Sequence, residues 1–334
     1  MPQDVGFFVP FPPRISPDAA GARTRNLAWV RAHRLTAGPA DEERLMLWDI
    51  AGLMARWLPE ATGPALDLAV NAVVLTTVLD DQFDSPPYRD PERAARIVAH
   101  LADLAQPGST AVPEGPLARA YAEIVDGVYR DASPEWAQRT FRHLRWYLDA
   151  SACEVRNRFD RRTPSRQEYF AQRRRSGFVY PMLDLCQKAY GFELPPRAYQ
   201  DPVTARMMQI TADFVDAVND AHSLEKEEER GQERDNMVHV LLHETACSRA
   251  EAIAEVVRMD DALVREFISL EQQAGTDAGT RRLIDCMRSA MRGYVDWSST
   301  TGRYSHIVPA AQPAYSDVMQ ASAADVGDAN ATVL

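Results

Sequence analysis

The chain has 334 residues and a formal net charge of −11, and hydrophobic residues make up 46% of it. That hydrophobic fraction can build a full core, which excludes global disorder, and the acidic balance argues against a nucleic acid or an anionic membrane as partner. No C-x-x-C pair and no signal peptide are visible, so we expect a cytoplasmic protein whose cysteines are reduced: Cys153, Cys186, Cys247 and Cys286.

Helix-forming residues dominate the chain, and short runs of alternating polar and apolar residues are nearly absent, which predicts an all-α fold. Prolines and aromatic residues predict an extended segment over residues 1–17. No shift in composition marks a boundary, so we predict one domain over 1–308 and a disordered tail over 309–334. The predicted helices cover 18–35, 41–58, 65–84, 90–104, 115–130, 134–158, 165–190, 199–226, 235–244, 248–273 and 278–301.

The third predicted helix is apolar nearly all round from Leu68 to Leu79, which predicts a buried central helix too short to span a membrane. It ends in "VLDDQFDS", where Asp80, Asp81 and Asp84 fall within five residues. Carboxylates so close repel each other unless a cation lies between them, and Mg²⁺ prefers oxygen ligands. A solvated helix end remains the alternative.

A second set of oxygen ligands lies in "FVDAVNDAHSLEKEEERG". Asn219, Ser223 and Glu227 are spaced four residues apart, so an α-helix places them along one face. Apolar residues precede this polar line, just as they precede Asp80. The spacing predicts a second Mg²⁺ site, with a solvated charged helix as the alternative.

Two further clusters predict an anion site. Three consecutive arginines, residues 173–175, precede Ser176 and Gly177, and guanidinium groups match phosphate geometry. Consecutive helical residues point in different directions, so only one or two of them can face the same ligand. Arg303 and Tyr304 follow the last predicted helix. A solvated basic patch is the alternative for the arginines, and the Arg-Tyr pair alone carries little weight.

Together these pieces resemble the bacterial class I terpene synthases, specifically the compact cyclases with a single α domain. The sequence carries D-D-x-x-D at 80–84, N-D-x-x-S-x-x-K-E at 219–227 and the R-Y pair at 303–304. The family's pyrophosphate-sensing arginine lies 46 residues before the motif's Asn, at Arg173 here, and Ser176 and Gly177 match its linker and helix-break effector. The resemblance covers roughly residues 5 to 308, and the opening resembles that of pentalenene-synthase-type sesquiterpene cyclases.

The resemblance implies an α-helical bundle around a deep apolar pocket, with residues 1–17 lying across the active site. It implies an isoprenyl diphosphate substrate, three Mg²⁺ ions and a possible homodimer. Farnesyl diphosphate is favoured, and a diterpene cyclase that uses geranylgeranyl diphosphate is the alternative. The implied metal ligands are Asp80, Asp81, Asp84, Asn219, Ser223 and Glu227. The implied diphosphate-binding residues are Arg173, Lys226, Arg303 and Tyr304.

The pocket itself is predicted less directly. Aromatic faces can stabilise a carbocation, and ordinary core packing is the alternative for each candidate. The candidates near the motifs are Phe83, Phe178, Tyr180, Tyr294 and Trp297. Thr76 and Thr77 stand where many sesquiterpene-forming relatives carry aromatic residues, which predicts a roomier pocket unless the threonines face a neighbouring helix. Gly177 could expose a backbone carbonyl, because glycine tolerates unusual backbone geometry.

Competing functions lack their motifs. A chain-elongating prenyltransferase would need a second aspartate-rich motif, and a protonation-initiated cyclase would need D-x-D-D, where residue 78 is Val. A helical scaffold protein with acidic patches predicts no metal dependence. His239 and His243 share a helix face, yet no third zinc ligand accompanies them at a convincing spacing.

Overall fold

The computed structural model describes residues 6–83, 89–231 and 233–304, and these contain helices and no β-strand. The all-α prediction is confirmed. The helices are α1 (Ala19–Ala32), α2 (Pro39–Trp48), α3 (Ile50–Trp57), α4 (Gly63–Phe83), α5 (Pro91–Ala105), α6 (Gly115–Tyr129), α7 (Pro134–Phe159), α8 (Arg166–Ser176), α9 (Val179–Ala189), α10 (Pro196–Tyr199), α11 (Pro202–Arg230), α12 (Met237–Glu244), α13 (Arg249–Glu271) and α14 (Ala278–Ser298). Short 3₁₀ turns cover Glu233–Asp235 and Gly302–Tyr304.

The helix predicted over 41–58 is divided at Asp49, so the prediction of one continuous helix is wrong. Asp49 has a left-handed backbone (φ 51°), and its carboxylate accepts the Gly52 amide at 3.1 Å, which caps α3. A Cβ at position 52 would lie 2.1 Å from Asp49 Oδ2, so this cap needs glycine there. The apolar pattern runs through the capping residue and therefore hides the break.

The helix predicted over 199–226 is also divided. Asp201 caps α11 by accepting the Thr204 amide at 3.0 Å, and Pro202 occupies the first helical turn, where its missing N–H costs nothing. The residues before this cap form the separate one-turn α10. At its other end α11 continues to Arg230, where Gly231 adopts φ 68° and ends the helix.

Helices α3, α4, α7, α9, α11 and α14 surround the centre of the fold. Helix α14 packs against α3, α9 and α11, while α4 packs against α1, α3, α6 and α9. By length and hydropathy α4 would pass as a membrane span. Its packing against four other helices is that of a central core helix, which is how the sequence predicted it.

The described part of the N-terminal segment, residues 6–18, contains no helix. The Phe7 ring packs against Phe214 and His222 of α11, and the Phe8 amide donates to Asp261 Oδ1 of α13 at 2.9 Å. The segment therefore lies along α11 and α13. Its placement across the active site stays a prediction, and residues 1–5 and the predicted tail lie outside the described residues.

Asp260 of α13 has a raised pKa that can be tested through its effect on stability. Its side chain is buried, Oδ2 has no hydrogen-bond partner, and burial together with Asp213 and Asp261 raises its pKa well above the usual value. The folded state therefore holds this proton more tightly than the unfolded state, so stability is lost as pH rises above the ordinary carboxyl pKa. We predict that Asp260→Asn raises Tm more at pH 8 than at pH 5 in scanning calorimetry. An equal change at both values would contradict the raised pKa.

Candidate active site

A cavity of about 1220 Å³, its open mouth included, lies at the centre of the bundle. Val73 lines it two turns before Asp80 on the same helix, so its wall extends roughly 10 Å along α4 from the acidic end. The apolar part of the wall is contributed by α3, α4, α9 and α14. It includes Ile50, Leu53, Met54, Trp57, Val73, Met182 and Trp297.

The end of α4 places its two described aspartates in different surroundings. Asp80 lines the cavity with half of its side chain exposed, whereas the Asp81 side chain is buried. Arg303 Nη2 lies 3.7 Å from Asp80 Oδ2 and 3.8 Å from Asp81 Oδ1, and its guanidinium stacks on the Trp48 ring. The third predicted ligand, Asp84, lies outside the described residues.

Helix α11 brings the three predicted ligands to the opposite wall. Asn219, Ser223 and Glu227 all line the cavity, and Ser223 Oγ donates to Glu227 Oε1 at 2.6 Å. Asn219 Nδ2 donates to Tyr304 Oη at 2.7 Å and to Tyr294 Oη at 2.9 Å. Lys226, predicted to bind diphosphate, also lines the cavity. The C-terminal tyrosine is thus joined directly to the amide of the α11 motif.

Of the three consecutive arginines, Arg173 lines the cavity and its two neighbours do not. Arg173 Nη2 donates to Asn219 Oδ1 at 2.7 Å and to Asp220 Oδ1 at 3.0 Å. Arg174 instead forms a bidentate salt bridge with Asp213, and Arg175 is exposed. Successive helical residues are rotated by roughly 100°, which explains why one side chain of the three reaches the cavity.

The break between α8 and α9 has a different cause from the one expected. Gly177 keeps a helical φ of −67°, and the left-handed residue is Phe178, with φ 62°. A Cβ at position 177 would lie 1.9 Å from Asp216 Oδ1. The interpretation that glycine is needed for its backbone freedom is therefore wrong. Glycine is needed because the Asp216 carboxylate packs against its Cα. Ser176, beside it, lines the cavity.

The ligand set fits a hard divalent cation. Ser223 Oγ and Glu227 Oε1 lie close enough to bind one ion, and every candidate atom is an oxygen, as Mg²⁺ prefers. Among residues 6–83, 89–231 and 233–304, no three His, Cys, Asp or Glu side chains are arranged so that they could hold a metal ion by themselves. The α11 set instead combines an amide, a hydroxyl and a single carboxylate. His239 contacts Glu228 at 3.0 Å and His243 is exposed, so the described residues provide no zinc site.

The predicted pocket residues divide into two groups. Thr76, Thr77, Phe178, Tyr294 and Trp297 line the cavity. Both threonine hydroxyls donate to the Val73 carbonyl of their own helix, at 3.0 and 2.8 Å, and not to a neighbouring helix.

Two aromatic candidates do not lie on this wall. Phe83 is buried in the core and does not line the cavity. Tyr180 packs against His143 and Trp146, because it lies two residues from Phe178 and points away from the cavity.

The cavity wall also includes charged residues that no motif marked. Glu154 and Arg158 of α7, Asp216 of α11 and Asp235 all line it. Burial raises the pKa of Asp235 to about 7, with Glu154 adding to the effect, and burial likewise raises the pKa of Glu154 despite the nearby Arg173. The spacing of Glu154 and Arg158, at i and i+4 on a long helix, could have pointed to these two, and Asp216 lies three residues before Asn219 on α11.

Comparisons with known proteins agree with this geometry. Residues 71–266 match the family model "Terpene synthase family 2, C-terminal metal binding". The chain is 34% identical to pentalenene synthase from Streptomyces exfoliatus over 91% of this chain and 94% of the relative. It is 30% identical to a 7-epi-alpha-eudesmol synthase from Streptomyces viridochromogenes, described as cyclising (2E,6E)-farnesyl diphosphate, over 91% and 93%. The crystal structure of germacradien-4-ol synthase from Streptomyces citricolor superposes with a TM-score of 0.81 at 26% identity, over 90% of this chain and all of that one.

Proposed function

The chain belongs to the terpene synthase family, and from that premise we propose how its own residues ionise and cyclise a linear isoprenyl diphosphate. It is a terpene cyclase, a carbon–oxygen lyase acting on a prenyl diphosphate, and farnesyl diphosphate is the favoured substrate. The roles given to single residues below, the use of three Mg²⁺ ions, a homodimer and a cytoplasmic location are parts of the proposal.

One observation carries the proposal. Two walls of one cavity end in oxygen ligands, Asp80 on α4 and the Asn219, Ser223 and Glu227 face on α11, while apolar side chains of α3, α9 and α14 line another part. The cations Arg173, Lys226 and Arg303 lie on the same cavity. A ligand with an anionic head and a hydrocarbon tail matches this division of charge, because each part meets its own kind of surface.

The polar end of the cavity would hold the diphosphate. Asp80 on one side and the α11 ligands on the other would hold divalent metal, which would supply positive charge to the leaving group. Asn219 and Asp220 hold Arg173 at this end of the cavity, and Asp80 and Asp81 lie beside Arg303, so both guanidinium groups are already placed where they would donate to the diphosphate. Donors that are already positioned stabilise the negative charge that develops as the C–O bond breaks.

The apolar end would hold and shape the hydrocarbon. Ile50, Leu53 and Val73 carry only hydrocarbon side chains, which offer no nucleophile and exclude the water that would quench a carbocation formed here. Trp297 is fixed by a hydrogen bond from its indole nitrogen to the Trp48 carbonyl at 2.8 Å, and the Phe178 ring packs edge-on against Tyr147. These rings offer electron-rich faces to the cation.

The alternative functions fare differently. Beside Thr76, Tyr147 and Phe178 form part of the cavity wall, so the small threonines do not by themselves leave an open space. This favours farnesyl over geranylgeranyl diphosphate. A chain-elongating prenyltransferase would need carboxylates where α11 presents an amide and a hydroxyl, and a scaffold protein would not need a cavity of mixed polarity.

The proposal predicts turnover that depends on metal. Purified protein is incubated with geranyl, farnesyl or geranylgeranyl diphosphate, each with Mg²⁺ or with EDTA, and extracts are analysed by gas chromatography with mass spectrometry. We expect a cyclic C15 product from farnesyl diphosphate with Mg²⁺, and a loss of at least 100-fold with EDTA, because the leaving group then loses its charge stabilisation.

The other outcomes are distinct. A cyclic C20 product as the main activity would move the enzyme to the diterpene cyclases. Longer linear diphosphates would indicate a prenyltransferase. No turnover of any of the three substrates with Mg²⁺ would contradict the proposed activity.

A further inference from the structure

A second cavity lies beside the active site. It is lined by α4, α6, α7 and α9 and spans about 530 Å³ of space between atoms, its openings included, of which only a small part is wide enough to hold a water. We call it the side chamber, and define it by the residues Leu75, Leu79, Val128, Leu144 and Leu185, which line it without lining the active-site cavity.

Three residues line both cavities and form the partition between them. These are Thr76 of α4, Tyr147 of α7 and Phe178 at the start of α9. The rings of Tyr147 and Phe178 pack edge to face with centroids 4.9 Å apart, and Tyr147 Oη lies 3.4 Å from the Thr76 carbonyl oxygen. The partition is therefore made of the two rings together with the smaller Thr76 of α4.

The backbone conformation at Phe178 fixes the position of its ring. Its backbone adopts φ 62° and ψ 8°, a left-handed conformation that is uncommon for a bulky residue. Gly177, immediately before it, is held against the Asp216 carboxylate. The bend between α8 and α9 thus places the Phe178 ring between the two cavities.

The lining of the side chamber suits hydrocarbon better than water. A buried water needs two to four polar partners. Among the residues that line the chamber, the side-chain polar atoms are hydroxyls. Thr76 and Tyr147 bond to backbone carbonyls, while Tyr121 Oη and Thr140 Oγ1 have no partner and could together hold one water. Every other lining residue is apolar, so the chamber would take up an isoprenoid tail if the partition were opened.

We propose that the Tyr147–Phe178 pair sets the chain length of the substrate by closing the side chamber to the hydrocarbon tail. This inference rests on the proposed function. Closed, the partition confines the enzyme to a C15 chain. Opened, it would join the two cavities, and deletion of the Phe178 ring removes six carbons of protein where a C20 chain needs room for five more.

The test compares four proteins: wild type, Phe178→Ala, Tyr147→Phe and the double variant Phe178→Ala with Val128→Phe. Each is assayed for kcat/KM with farnesyl and geranylgeranyl diphosphate. We expect Phe178→Ala to shift the C15 to C20 preference by at least tenfold toward C20, because a few extra methylene groups in an apolar pocket change specificity by roughly 10–200-fold each.

The remaining variants are matched controls. Tyr147→Phe keeps the ring and should leave the preference within twofold of wild type. Val128 lines the side chamber and not the active-site cavity, so its replacement by Phe refills the chamber from α6 and should restore the C15 preference. An unchanged preference in folded Phe178→Ala, or a double variant that behaves like it, would overturn the proposal. Far-UV circular dichroism confirms folding of each variant.

Crystals of the wild type under xenon pressure give a readout independent of turnover. Apolar cavities that stay dry bind xenon. Xenon in the side chamber supports a hydrocarbon compartment, whereas ordered water there without xenon overturns it. Absence of turnover in the wild type with every substrate would instead refute the proposed function, and the xenon result would still decide the nature of the chamber.

Discussion

Replacement of Arg173 by alanine will lower kcat with farnesyl diphosphate by roughly 10²–10³-fold, the cost of one pre-positioned donor to a developing negative charge. Arg173 is the member of the arginine triplet that reaches the cavity, where it already contacts Asn219 and Asp220. Burial alone would lower its pKa, but Asp220 and Asp216 outweigh burial and raise that pKa, so the guanidinium stays charged. Diphosphate release under saturating substrate is the measurement.

The structure supplies a matched control for this variant. Arg175 lies two residues further along α8 and is exposed beside Trp146, so Arg175→Ala should keep wild-type kcat. Arg173→Ala also removes the positive charge beside Asp220, so Arg173→Lys is needed to separate charge from geometry. Lysine keeps the charge but loses the planar guanidinium, and the kcat of this variant should fall between those of Arg173→Ala and the wild type. Equal rates for Arg173→Ala and Arg175→Ala would contradict the assignment of Arg173.

The sequence predicted the helices well and their breaks poorly. Helical periodicity records which face is buried, and it persists through residues such as Asp49 and Phe178, where the backbone turns left-handed. Asp49 caps the next helix through its side chain, an interaction that a periodic pattern does not contain. The central position of α4, in contrast, followed directly from a run that is apolar on every face.

The candidate site could be predicted where its residues share one helix. Asn219, Ser223 and Glu227 lie on one face of α11 by spacing alone, and the structure places them together on the cavity. Glu154 and Asp235 were missed because they come from other elements, and only the packing of α7 against the C-terminal half brings them to the cavity. Asp216, in contrast, lies on α11 three residues before Asn219, so the helical spacing could have pointed to it as well.

Glu227→Gln tests the α11 ligands with the smallest possible change of shape. Glu227 accepts hydrogen bonds from Ser223 at 2.6 Å and from Asn236 at 2.9 Å, and it is the one carboxylate on this ligand face. An amide of equal size loses the negative charge that a hard cation favours. We expect kcat to fall by roughly 10²–10³-fold and the Mg²⁺ concentration for half-maximal rate to rise at least tenfold, measured by Mg²⁺ titration at saturating farnesyl diphosphate.

The neighbouring Glu228 makes this experiment decisive, because it offers the same substitution one residue away on another face of α11. Glu228 pairs with Arg249 at 2.7 Å and with His239 at 3.0 Å and does not line the cavity. An exposed pair of this kind contributes little to stability, so Glu228→Gln should keep both the rate and the Mg²⁺ requirement of the wild type. If both variants needed the same Mg²⁺ concentration, Glu227 would be a structural residue and the metal would have to be held by other atoms of the cavity. If only Glu227→Gln shifted the requirement, the helical spacing that first singled out this face would describe a metal site.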